Sequence, residues 1–117
     1  MIHHVVLELA RSPEFPDGSG KHGYELRLPL TAHGKLDPAY WQKHRVDYSF
    51  RRFWDGADEE YGELRHDHRG WVLSFKSGSE DDDAICGNDD YRFAVGENVL
   101  IKERDGKTRT FHVVSVM

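Results

Sequence analysis

Apolar side chains recur along most of this chain with a period of two rather than 3.6. His3, Val5, Leu7 and Leu9 fall on one face of an opening segment. Tyr24, Leu26, Leu28 and Leu30 share one face of a second, while Glu25 and Arg27 take the other. Successive side chains of a strand point to opposite faces, so this alternation predicts half-buried β-strands. Pro29 cannot donate to a ladder, which places the second strand at a sheet edge or near its own end. Between the two, Arg11 to Gly20 holds Pro13, Pro16, Gly18 and Gly20 and reads as a loop. Val46, Tyr48 and Phe50 resume the alternation up to Trp54, and Asp55-Gly56 breaks it. That pattern puts Val46 in the core beside Tyr48 and Phe50.

One helix interrupts the strands. Asp37 can cap the free amides of a first turn, and Pro38 lacks only an amide that would be unpaired there. A short helix is therefore expected near residues 38–43, with Lys43 and His44 at its negative end.

The remaining segments pair as hairpins. An even-length loop at Arg69-Gly70 puts Leu64, His66, Trp71, Leu73 and Phe75 on one face. Cys86-Gly87-Asn88-Asp89 reads as a turn, and Tyr91 to Phe93 as a short strand. Asp105-Gly106 marks the last turn. A two-residue loop would set Arg104 against Lys107 and Lys102 against Arg109, and like charges directly opposite are destabilising. A three-residue loop, Arg104-Asp105-Gly106, pairs Glu103 with Lys107 and Val99 with Phe111 instead. It puts Gly106 in the left-handed position of a G1 bulge. The closing segment is apolar on both faces at Val113, Val114 and Val116, as for a central strand or a subunit contact. Seven or eight short strands with one minor helix make this a mainly β protein, a single antiparallel β-barrel or sandwich over residues 1–117.

Composition agrees with one small globular domain. Val, Leu, Ile and Phe make up nearly a quarter of the 117 residues, above the level at which a chain fails to build a core. No apolar run approaches the roughly 20 residues of a membrane helix. The single cysteine, Cys86, favours a reducing compartment, and the opening residues do not read as a secretion signal, so a cytoplasmic location is expected. The net charge of −5 is unevenly spread. Acidic groups dominate residues 55–90, in the runs Asp58-Glu59-Glu60 and Glu80-Asp81-Asp82-Asp83, and both flanks are mildly basic. Such runs read as exposed loops. Acidic surroundings also argue against a reactive Cys86 thiolate.

Four groups of residues could carry chemistry. His66 and His68 form an H-x-H pair that could share a metal ion as neutral imidazoles, with His112, His3 or Glu8 as a third ligand. The match to the cupin pattern stops at those two histidines, and the plainer reading packs His66 beside Trp71 with His68 in a turn. Residues 44–54 interleave basic and aromatic groups, so Arg51, Arg52 and Trp54 could contact single-stranded nucleic acid, although the acidic neighbour would repel phosphates. The acidic run lacks the spacing of a calcium loop. Arg11, His22 and Glu25 could form a polar cluster at a barrel mouth, with Phe15 anchoring the long loop between the first two strands. No nucleophile elbow, Walker loop or dinucleotide fingerprint occurs, and no cofactor is implied.

The segments Glu8 to Arg11, Phe15 to Ser19 and His22 to Glu25 resemble a family of small bacterial proteins of unknown function. Tyr91-Arg92-Phe93 and the stretch from Gly96-Glu97 to Phe111–Val116 share that resemblance. It spans most of the chain and implies a single bacterial domain without implying an activity. The leading expectation is a non-enzymatic module that binds a small ligand or a protein. It would act at the mouth near Arg11, His22 and Glu25, or self-associate as a homodimer through an edge strand.

Overall fold

A computed structural model of the chain describes residues 2–76, 82–86 and 92–117. Eight strands form a closed antiparallel barrel in which each strand pairs with the next and the last returns to the first. They are β1 (Ile2–Leu9), β2 (Ser19–Pro29), β3 (Ser49–Trp54), β4 (Glu60–Asp67), β5 (Gly70–Phe75), β6 (Asp83–Ile85), β7 (Asn98–Lys102) and β8 (Thr108–Val116). A helix, α1 (Pro38–Lys43), and a 3₁₀ turn (Arg45–Asp47) fill the connection from β2 to β3.

The alternation read from the sequence decides which side chains enter the barrel. Val5, Leu7, Leu9, Tyr24, Leu26 and Leu28 are all buried. Across the β4–β5 hairpin, Leu64 faces Leu73 and His66 faces Trp71. Gly62 faces Phe50 across β3–β4. A Cβ on Gly62 would stand 2.0 Å from the Ser74 carbonyl oxygen and 2.7 Å from the Phe50 ring. Glycine therefore lets the Phe50 ring lie across β4 and fill the interior.

The last hairpin takes the bulged register. Val99 pairs with Phe111, the Glu103 amide donates to the Lys107 carbonyl at 2.9 Å, and Gly106 has φ +87°. Val99, Ile101, Phe111 and Val113 are buried together. The helix starts where the Asp–Pro signal placed it: the Asp37 carboxylate accepts from the Ala39 and Tyr40 amides.

Three local expectations need correction. Val46 is 94 % exposed, because the chain turns as a 3₁₀ helix there and strand parity begins only at Ser49. Arg92 and Phe93 belong to no strand, and Tyr91 lies outside the described residues. Asp83 is fully buried in β6 rather than solvated with its acidic neighbours. Pro29 ends β2, the second of the two placements its missing donor allowed, and barrel closure gives every strand two partners among the described residues. The calcium-type run at Glu80-Asp81 and the turn residues Gly87–Asp89 lie outside the described residues.

Candidate functional site

Both barrel mouths are filled by side chains. At one end α1 lays Trp41 against Trp71, with ring centroids 6.1 Å apart, and Tyr48 stacks on Trp71 at 6.0 Å. The Trp41 indole N–H donates to the Leu64 carbonyl at 3.1 Å. His66 joins this cluster, 4.8 Å from the Trp71 ring, while His68 sits in the turn beyond β4. Asp67 between them is pulled to about 2 by its hydrogen bonds to Arg69. No three His, Cys, Asp or Glu side chains are grouped to hold a metal ion among the described residues.

The opposite mouth is ionic. Continued alternation turns Tyr24, Arg52, Glu60, Asp83, Glu103 and Arg109 toward the interior from six different segments. Glu103 is 4 % exposed and receives Arg52 at 2.9 Å and Arg109 at 2.6 Å. Arg104 reaches Glu60 at 2.6 Å across the Phe75 ring. Arg109 also meets Glu14 and Asp105. Over this lattice the β1–β2 loop folds Phe15 onto His22, at 4.7 Å, and onto Trp54, at 6.2 Å. His22 donates to or accepts from Ser19 at 2.6 Å, and burial lowers its pKa.

The structure thus separates two of the expected clusters. His22 points into the mouth, Glu25 points outward three residues later, and Arg11 is exposed on the loop. Strand parity divides the nucleic-acid candidates in the same way. Arg52 is interior, with its guanidinium 4.3 Å from the Trp54 ring centroid, and Trp54 packs against the core. Only Arg51 faces out, where it is paired with both Glu25 and Glu59.

The open concavity lies on the outer face of β2–β5, which sequence reasoning missed. Two cross-strand rows build it. Register sets Arg27, Ser49, Glu63 and Ser74 side by side, and next to them Glu25, Arg51 and Tyr61. Lys76 closes the second row, its amide donating to the Tyr61 carbonyl at 2.8 Å. Ser49 and Ser74 are short, and Arg27, Arg51, Tyr61, Arg65 and Lys76 are long. The serines form a floor and the long side chains a rim around a hollow of about 800 Å³. That size suits a small molecule. A second hollow of about 410 Å³, lined by Ile2, His3, His4, Glu25 and Arg27, adjoins it across Arg27.

The charges in this groove are uneven. Glu25 is clamped between Arg51 and His4, both at 2.6 Å, and the Arg51 hydrogen bond holds its carboxyl below the ordinary range. Arg65 is spent on Glu63 at 2.7 Å. The side chains of Arg27 and Lys76 make no ion pair or hydrogen bond within the described residues. Tyr61 keeps 53 % of its surface exposed beside them. Among the described residues, the groove therefore offers two cations without an ion-pair partner and one exposed ring face. The register that assembles it was present in the sequence only as outward polar positions on separate strands.

No protein family, curated protein or solved structure matches the chain. No helix among the described residues is long and apolar enough to cross a membrane.

Proposed function

We propose that this protein is a non-enzymatic binding module that takes a small anionic ligand with a flat ring on the outer face of β2–β5. The observation that carries this reading is the pairing of Arg27 and Lys76, neither ion-paired among the described residues, with the exposed Tyr61 ring around a serine floor. Four cations and two carboxylates line the hollow, on a chain whose net charge is −5. An anion gains Coulomb energy there that a neutral molecule does not, and a planar group gains a stacking face. Filled mouths support the choice of the outer face over the interior. We assign the module to a bacterial cytoplasm, on its single thiol and its resemblance to small bacterial proteins.

Adenosine monophosphate and uncharged adenosine make a matched pair of probes for calorimetry at low ionic strength. The nucleotide should bind and the nucleoside should bind at least tenfold more weakly, with affinity for the nucleotide falling as salt rises. The double variant R27Q/K76Q should lose most of the nucleotide affinity without unfolding, since both residues are exposed. Equal binding of the two probes, or full affinity in the double variant, would remove the reading.

A further inference from the structure

We propose that Asp83 is held as a neutral acid against Tyr24, and that loss of its proton releases β6, so that this strand is a pH-operated latch on the barrel. The Tyr24 hydroxyl oxygen lies 2.6 Å from Asp83 Oδ2 and 2.5 Å from Glu103 Oε2. Each contact is as short as a strong O–H···O bond and needs its own proton. Tyr24 supplies one. A carboxyl group must supply the other.

The surrounding cations decide which carboxyl it is. Glu103 has guanidinium nitrogens of Arg52 and Arg109 within 3 Å. Asp83 has none that close: Arg104 Nε stands at 3.8 Å and Arg52 Nε at 3.9 Å. Its other hydrogen bond among the described residues comes from the Arg104 amide, which donates to Oδ1 at 2.8 Å. Asp83 is also fully buried. The proton therefore sits on Asp83 Oδ2, which donates to Tyr24, and Tyr24 donates to Glu103. Burial raises the Asp83 pKa, in the same direction. The remaining charge facing this site, Glu60 on β4, is taken by Arg104 at 2.6 Å.

Removing that proton leaves three oxygens and one hydrogen in a buried site. Either the Asp83 contact or the Glu103 contact becomes lone pair against lone pair. The strand that bears Asp83 is the shortest of the eight among the described residues. It has three residues, with two register pairs to β5 and two to β7. Its amino-terminal side is held by the Asp83 side chain and, one residue earlier, by Asp82, which Arg69 reaches at 3.2 Å. Repulsion at Asp83 is thus relieved at least cost by detaching β6 from its neighbours.

Amide exchange at Ala84, Ile85 and Cys86 reads this directly. The Cys86 amide is bonded to the Leu100 carbonyl at 2.9 Å, so its protection reports the end of β6. After correction for intrinsic exchange, wild-type protection should fall by up to tenfold per pH unit from about pH 5 upward, as for release of one proton on opening, and should level off once Asp83 has titrated in the closed barrel. In D83N the amide still donates to Tyr24 and has no proton to lose, so protection should be flat. Constant wild-type protection over the range, or the same decline in D83N, would overturn the latch. If D83N does not fold, carboxyl carbon NMR of the wild type decides. Asp83 should titrate above the other described aspartates, and a charged Asp83 at about pH 5 would overturn the proposal.

Discussion

Arg51 and Arg52 are chain neighbours with opposite fates, and replacing each by alanine separates the two kinds of ion pair in this barrel. The Arg52 side chain is 14 % exposed and bonded to Glu103, itself almost wholly buried, while its guanidinium lies over the Trp54 ring. Arg52→Ala strands a buried carboxylate with one cation fewer and leaves space beside Trp54. Breaking one side of a buried pair costs about 3–5 kcal/mol. Arg109 still reaches Glu103 at 2.6 Å, so the lower part of that range, about 3 kcal/mol, is expected. That is a large share of the roughly 5–15 kcal/mol that holds a domain of this kind. Arg51 is 31 % exposed, and its partner Glu59 is 48 % exposed. Solvent screening limits its loss to about 0.5 kcal/mol. Urea denaturation followed by tryptophan fluorescence measures both through the midpoint at constant slope. Added salt should diminish the Arg51 effect and leave the Arg52 effect nearly unchanged. Equal losses from the two substitutions would refute the assignment of Arg52 to the interior and Arg51 to the surface.

Three further outcomes follow from the geometry. Gly62→Ala should cost about 1–3 kcal/mol in the same assay, because its Cβ meets the Ser74 carbonyl and the Phe50 ring and the backbone oxygen cannot rotate away. Tyr48→Phe should leave stability unchanged or raise it by up to about 1 kcal/mol, since the Tyr48 hydroxyl is buried without a hydrogen-bond partner; a loss of that size would contradict this. Burial, aided by the charge of Glu103, raises the Tyr24 pKa above its unfolded value near 10, so the folded phenol keeps its proton longer than the unfolded one. Stability should therefore fall as pH rises above about 10, by up to about 1.4 kcal/mol per unit, and Tyr24→Phe should flatten that slope.

Much of the fold was legible because period-two burial is a local signal. The inward faces of β1, β2, β4 and β5 and the bulge at Gly106 follow from parity and from like-charge avoidance. Val46 misled because it sits two residues before Tyr48, and parity was carried back through a stretch that is not a strand. Barrel closure was less legible, since it depends on β8 meeting β1 across the whole chain. The ionic mouth left a readable trace that hydrophobicity alone obscured. Arg52 follows Phe50 by two, Glu103 follows Ile101 by two, Asp83 precedes Ile85 by two and Arg109 precedes Phe111 by two. Extending each inward register by one step places a charge inside. Asp83 escapes that extension because it closes an acidic run whose charge density reads as solvent-facing. The outer groove was the least legible, because a hollow floored by Ser49 and Ser74 exists only once three strand registers are fixed together.

The most direct test of the binding reading maps the ligand onto the barrel by ¹⁵N–¹H correlation spectra during titration with adenosine monophosphate at low salt. Saturable shifts should concentrate at Arg27, Ser49, Tyr61, Ser74 and Lys76, on the outer face of β2–β5, and should vanish in R27Q/K76Q. Shifts centred on the mouth at His22 and Trp54, or no saturable shift at any position, would contradict it.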